Sequence, residues 1–168
     1  CIDTDINNLR PAKKICKMQD LSFNSGQGAP VAVARVDVNM LPTQSNQEAL
    51  KIKPQFLIYV ENRGQGTVIR QESVASFCAR SKAEHKDLNV IYVNVFLSDK
   101  ELRCQLENKE KEPPGHIKLK DKKDIIWCDL PEGIDVTQDS FLSPLKIVLS
   151  YGYTQSISAN YLIQKAAR

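Results

Sequence analysis

The sequence predicts an all-β protein: an antiparallel sandwich of about eight strands, with an irregular N-terminal arm over residues 1–30 and one short helix. Three observations carry this. Apolar and polar residues alternate with a period of two over short runs, the pattern of a half-buried strand. Clusters of Gly, Pro, Asn, Asp and Ser punctuate those runs, at residues 24–30, 62–66, 113–115 and 131–133. Only residues 71–86 carry helical spacing.

In the arm, Asp3, Asp5, Asn7 and Asn8 are turn formers, and residues 24–30 form a loop around Gly26 and Gly28. No helix and no Lys-Ser/Thr pair follows those glycines, so the loop is not a phosphate cradle. The sandwich domain is expected over residues 31–168. Its first strand spans 31–40. Val31 and Val33 hold one parity, while Val36, Val38 and Met40 hold the other. The switch at Ala34 and Arg35 predicts a β-bulge or a passage between sheets. A polar connection follows over 42–53.

Residues 54–68 form the central segment. Phe56, Ile58 and Val60 point to one face, and Leu57, Tyr59 and Glu61 to the other. Asn62 and Gly64 are expected to supply the positive φ angles of a tight turn, making this stretch an interior hairpin. In the helical stretch, Ser73 is a candidate cap and Val74, Phe77 and Cys78 lie at helical spacing, with 79–87 an exposed charged excursion. Residues 88–97 are apolar on both parities, which predicts a central strand covered on both faces. Leu102, Cys104 and Leu106 alternate with the outward Arg103 and Gln105. Short strands are then expected at Ile117 and Leu119 and over 125–130. Trp127, beside Cys128, is read as core packing. Residues 144–153 and 157–164 are read as a closing hairpin, with Gly152 marking a bulge or a close backbone approach.

The charge balance is nearly even: 23 Lys and Arg against 20 Asp and Glu, a net +3. That offers no electrostatic case for nucleic acid. The basic run at 118–123 is broken by Asp121 and lacks aromatics, so it reads as lysines protecting a sheet edge. No apolar run approaches the roughly 18–20 residues of a membrane span.

The five cysteines are Cys1, Cys16, Cys78, Cys104 and Cys128, with no C-x-x-C pair. They point to an oxidising compartment. In one pairing Cys1 joins Cys16, Cys104 joins Cys128, and Cys78 is left over. In another, Cys1 bears a lipid anchor and the other four form two bridges. No Asn-x-Ser/Thr sequon occurs, which argues against a eukaryotic secreted protein.

No catalytic residue, cofactor or metal ligand is assigned. His85 lies in a solvated charged segment and His116 follows Pro-Pro-Gly, so neither reads as a buried, oriented base. Asp3 with Asp5, and Asp135 with Asp139, read as turn chemistry in preference to calcium loops.

Residues 56–68, with their Asn-x-Gly-x-Gly ending, resemble the strand-turn element of CARDB-type and related surface-layer Ig-like modules. The closing segment from Leu145 to Ile163, with its Tyr-x-Tyr, is similar to the last strand pair of such sandwiches. The resemblance covers about 30 residues and implies an Ig-like fold. It implies an extracellular prokaryotic module used in adhesion, spacing or surface assembly, and it transfers no catalytic residue. The expected function is therefore a non-enzymatic structural module whose partners are neighbouring protein subunits or domains. The candidate contact loops carry Asn24, Gln27, Asn62, Arg63, Gln65, Pro113 and His116. The alternatives are an adhesin-like module binding carbohydrate or protein, and an accessory domain of a secreted enzyme.

Overall fold

The structure is a computed structural model that describes residues 2–3, 19–25, 27–43, 51–80, 84–105, 113–135 and 140–163. Its backbone is mostly antiparallel strand; among the described residues it forms a six-stranded and a four-stranded sheet, with two further two-stranded pairs. The larger sheet is built on β3 (Val31–Thr43) and β4 (Lys51–Asn62). β2 (Leu21–Ser22) pairs the outer edge of β3. On the other side of β4 lie β10 (Lys123–Asp129) and then β8 (Arg103–Gln105) at the edge. β11 (Ile134–Asp135) also pairs β4, at Ile52 and Lys51. The arm contributes a further two-residue strand, β1 (Ile2–Asp3), paired with β12 (Ser140–Phe141), and it places Ile2 in the core.

Two irregularities in this sheet have local causes. The register of β3 against β4 slips between Val33 and Arg35. That β-bulge lets Val31 and Val33, then Val36, face inward on a single strand. Pro54 sits inside β4, where a proline removes a ladder donor. Its carbonyl accepts from Leu130 N at 3.4 Å, so its N, on the same side of the strand, also faces the β10–β11 edge. The partner strand is interrupted at that point: β10 ends opposite Gln55, the chain turns through Pro131 and Glu132, and β11 begins opposite Ile52.

The second sheet is organised around β6 (Val90–Leu97). β13 (Leu145–Ser150) lies on one side. β9 (His116–Lys118) and β7 (Lys100–Glu101) share the other. β6 is central, but beyond Val90 at its start only the inward Ile91, Val93, Val95 and Leu97 are buried. Tyr92, Asn94 and Phe96 are half-buried, so the expected second cover is incomplete. The two inner faces interdigitate through Val36, Phe56, Ile58, Ile126, Val93 and Val95.

The 54–68 stretch is not a hairpin. β4 stays in the large sheet, whereas β5 (Thr67–Ile69) pairs with β14 (Gly152–Thr154), the continuation of β13. The turn over 62–66 therefore carries the chain from one layer to the other. Neither Asn62 nor Gly64 has a positive φ. Both residues serve the turn differently. Asn62 is buried and clamps it, accepting from Gly64 N at 2.9 Å and donating to Gly66 O at 3.1 Å. The glycines admit neighbours: a Cβ on Gly64 would meet Tyr153 Oη and Pro30, and one on Gly66 would meet the backbone oxygen of Thr154. Tyr153 Oη itself accepts from Gly66 N at 2.6 Å.

The helical stretch resolves into a 3₁₀ turn at Gln71–Ser73, the helix α1 (Val74–Arg80) and a second 3₁₀ turn at His85–Asp87. Val74 packs so close to Gly152 that a Cβ there would collide with it. The glycine in the strand pattern thus marks a close approach. Cys78 lies on the exposed side of α1 with a free thiol. The closing hairpin is also different from the expectation: residues 155–163 form no strand, and β13 pairs β6 instead.

Cys104 and Cys128 are directly opposed across β8 and β10, with Cα atoms 4.0 Å apart, and form a disulfide. Cys1, Cys16 and Leu106 lie outside the described residues. The bridge closes a loop of 24 residues and is worth about 3.5 kcal/mol by loop-closure entropy. Replacing Cys104 and Cys128 together by Ala should lower unfolding free energy by about 2–4 kcal/mol in denaturant titrations. Gly66→Ala should cost about 1–3 kcal/mol because its Cβ meets backbone that cannot swing away. Gly28→Ala, with open space but φ +77°, should cost about 1 kcal/mol, from backbone strain alone.

Candidate functional site on the outer face of the large sheet

The register of the large sheet places side chains in rows across its solvent-facing side. Gln105, Trp127, Leu57 and Asp37 form one row, because each is the cross-strand partner of the next. Ile125, Tyr59 and Arg35 form the adjacent row. Asp129 lies one row further along, opposite Arg103 and Gln55.

Trp127 follows from parity. Its neighbours Ile126 and Cys128 point inward and are fully buried, so Trp127 must point out. It is 45% exposed and Ile125 is 48% exposed. The expected packing of Trp127 in the core is thus overturned. With Leu57 and Tyr59 these residues line an open groove of about 740 Å³, bordered by Gln105, Lys120, Lys123 and Arg35. Lone exposed apolar side chains are ordinary, but a contiguous apolar patch with a polar rim is the form of a contact surface.

The rim is internally neutralised. Arg35 is paired with Asp37 and its guanidinium lies 5.4 Å from the Tyr59 ring centroid. Tyr59 donates its phenolic hydrogen to Asp37 Oδ2 at 3.1 Å, and this bond holds the phenol above its ordinary pKa. Glu61 pairs with Arg63 and, at 3.7 Å, with Lys123; the Arg63 hydrogen bond holds its carboxyl low.

Beside the groove, Asp129 is buried under two cations. Lys53 Nζ stands 2.6 Å from Oδ2, and Arg103 donates from Nε and an η nitrogen to both carboxylate oxygens, at 3.2 and 3.1 Å. Burial pushes this carboxyl up, but the bonds and charges from Lys53 and Arg103 outweigh it and hold it below the usual range. The triad ties the edge strand β8 to β10 and β4.

The candidate loop residues have mostly internal tasks. Gln27 exchanges two 3.1 Å bonds with the backbone of Val33. Arg63 donates to the carbonyls of Phe23 and Ser25, at 2.8 and 3.2 Å. His116 packs on the Tyr92 ring with its Nε2 3.5 Å from Glu72. Asn24, Gln65 and Pro113 are exposed. Sequence reading missed the sheet face as a site; the signal was the outward parity shared by Leu57, Tyr59, Ile125 and Trp127. Asp135 faces Lys51 at 3.8 Å, and Asp5 and Asp139 lie outside the described residues. Among the described residues no cluster of His, Cys, Asp or Glu could hold a metal, and no helix is long and apolar enough to cross a membrane. Compared with protein families, curated proteins and solved structures, the chain matches none.

The Asp129 triad has a signed pH dependence. A carboxylate with a depressed folded pKa contributes stability that is full above the unfolded value, about 3.9, and is lost as pH falls through the folded value. Asp129→Asn should therefore destabilise by about 1–3 kcal/mol at pH 7, discounted from a fully buried pair because Lys53 and Arg103 reach solvent. The gap between wild type and variant should close in unfolding titrations carried progressively below pH 4.

Proposed function

We propose that this chain is a non-enzymatic, extracellular structural module, a subunit or domain of a cell-surface or filamentous assembly, whose main contact surface is the outer face of the large sheet. The observation that carries the reading is the outward-facing row pair Leu57–Trp127 and Tyr59–Ile125, half-buried on β4 and exposed on β10, inside a neutralised polar rim. An apolar centre with a satisfied charged border suits a protein neighbour, since aromatic anchors supply most interface energy and rim charges supply orientation. The Cys104–Cys128 bridge supports an oxidising location. The resemblance of residues 56–68 to the CARDB-type strand-turn element supports this reading of an Ig-like surface module.

A second reading is favoured by one feature. Trp127 and Tyr59 stand beside the hydrogen-bonding groups of Gln105, Arg35 and Asp37, the combination by which an aromatic platform holds a sugar ring. In that case the module binds carbohydrate.

The test uses the producing cell. A membrane-impermeant thiol reagent should label the exposed Cys78 on intact cells, with Cys104 and Cys128 recovered as one disulfide-linked peptide pair. Ile125→Thr with Trp127→Thr keeps strand propensity and the fold but should release the module from its assembly. A module that cannot be labelled from outside, or a variant that stays fully assembled, overturns the reading. Oligosaccharides that shift Trp127 fluorescence, where the isolated neighbouring subunit does not, move the assignment to carbohydrate binding.

A further inference from the structure

Residues 157–163 pose a separate question. Ile157, Ala159, Tyr161 and Ile163 share one parity, with Ser158, Asn160 and Leu162 opposite, so the alternation of a half-buried strand holds from Ile157 to Tyr161 and the segment ends in an apolar Leu162–Ile163 pair. Yet among the described residues the segment forms no strand and pairs with none. Ile157, Tyr161, Leu162 and Ile163 are between 83% and 89% exposed. A strand-patterned segment with its apolar side in water is written for a surface the monomer does not supply.

We infer that residues 157–163 of one copy dock into the groove of a second copy, over Leu57, Tyr59, Ile125 and Trp127. The inference rests on the reading of that groove as a protein contact and names the partner as this same chain. Three observations fit the pair. Residues 155–163 carry no charge, and the groove's border charges already pair with one another through Arg35–Asp37 and Lys123–Glu61. A charged ligand would have to break those pairs, and an uncharged strip leaves them intact. The two apolar rows of the groove are one i, i+2 step apart, roughly 7 Å, the spacing of successive same-side residues on an extended segment. Finally, the tail departs from Thr154, which is paired to Thr67 in the layer away from the groove, and in the single chain both surfaces remain uncovered.

Tail and groove are different surfaces, so the contact is heterologous. It leaves a free groove at one end and a free tail at the other, and it propagates unless the rotation closes a ring. That geometry suits the filamentous or surface-layer role proposed above.

The experiment pairs two full-length variants. One carries Ile157→Ser, Tyr161→Ser and Ile163→Ser and keeps the groove. The other carries Ile125→Thr and Trp127→Thr and keeps the tail. Wild type should associate with rising concentration beyond a dimer in sedimentation, with a blue shift of the emission of Trp127, the chain's single tryptophan. Each variant alone should associate at least about tenfold more weakly. An equimolar mixture should form a complex that stops at one copy of each, because one good tail meets one good groove.

A wild type that stays monomeric overturns the inference. So does a tail variant that associates like wild type, which would mean the faces pair symmetrically, or a mixture that fails to pair. A blue-shifted Trp127 in monomeric wild type that is lost in the tail variant would place the tail in its own groove, and also overturns it. If the tail variant is retained in the cellular assembly while the groove variant is released, only the identity of the occupant falls. Retention of both removes the groove as a contact surface altogether.

Discussion

The register of β10 against β4 is the constraint on which the rest depends. Cys128 stands opposite Phe56 and Ile126 opposite Ile58, so four side chains enter the core together. The same register puts Trp127 beside Leu57 and Ile125 beside Tyr59 on the opposite face. A slip of one residue would exchange the two sets, placing an indole in the core and a disulfide in water. The Cys104–Cys128 bridge fixes which face of β10 turns inward, and the interruption of β10 at Pro54 fixes where it can end along β4. The Asp129 triad adds a polar lock beside the bridge, since both Lys53 and Arg103 must reach one carboxylate.

Closure of the sandwich depends on a second device, the crossing at residues 62–66. A strand that leaves one layer and enters the other must bring backbone close to the far sheet, and side chains at the crossing obstruct it. Gly64 and Gly66 remove that obstruction and let the Tyr153 hydroxyl sit against the turn. Asn62 then satisfies two backbone groups that would otherwise be buried without partners. Gly152 plays the same part beneath α1, where Val74 occupies the space its Cβ would need. Each of these glycines is explained by what stands next to it, with ordinary negative φ.

Much of the architecture was legible in alternation. The bulge in β3 showed as a parity switch at Ala34 and Arg35, and the inward set of β4 could be read directly. Which strands pair was not legible, because alternation reports the face of a strand and carries no address for its neighbour. Hence a glycine turn between two apolar runs read as a hairpin when it is a crossing. The same limit applied at the end of the chain, where residues 157–163 have a strand's pattern and no strand to join. The outer face was legible in principle. Cys128 inward forces Trp127 outward, but the general tendency of tryptophan to bury its large apolar surface argued the other way. Parity is the stronger constraint, since it follows from backbone geometry and Trp propensity is only an average.

The groove is set on a part of the fold braced by strand pairing, a disulfide and an ion triad, and contributes little to holding that fold together. Ile125 and Trp127 keep about half their surface in water, so trimming them forfeits only part of the roughly 1.5–3 kcal/mol that full burial of a large apolar side chain provides. The backbone beneath them is fixed by two flanking strands, a disulfide and an ion triad. A contact surface on such a platform loses little ordering entropy when a partner arrives, because its side chains and strands are already in place. The edges next to it are poor templates for indiscriminate pairing. β8 is three residues long and presents Arg103 and Gln105, and β2 is two residues long. In the proposed contact, association is therefore directed away from backbone pairing at the sheet edges and onto the side chains of the face.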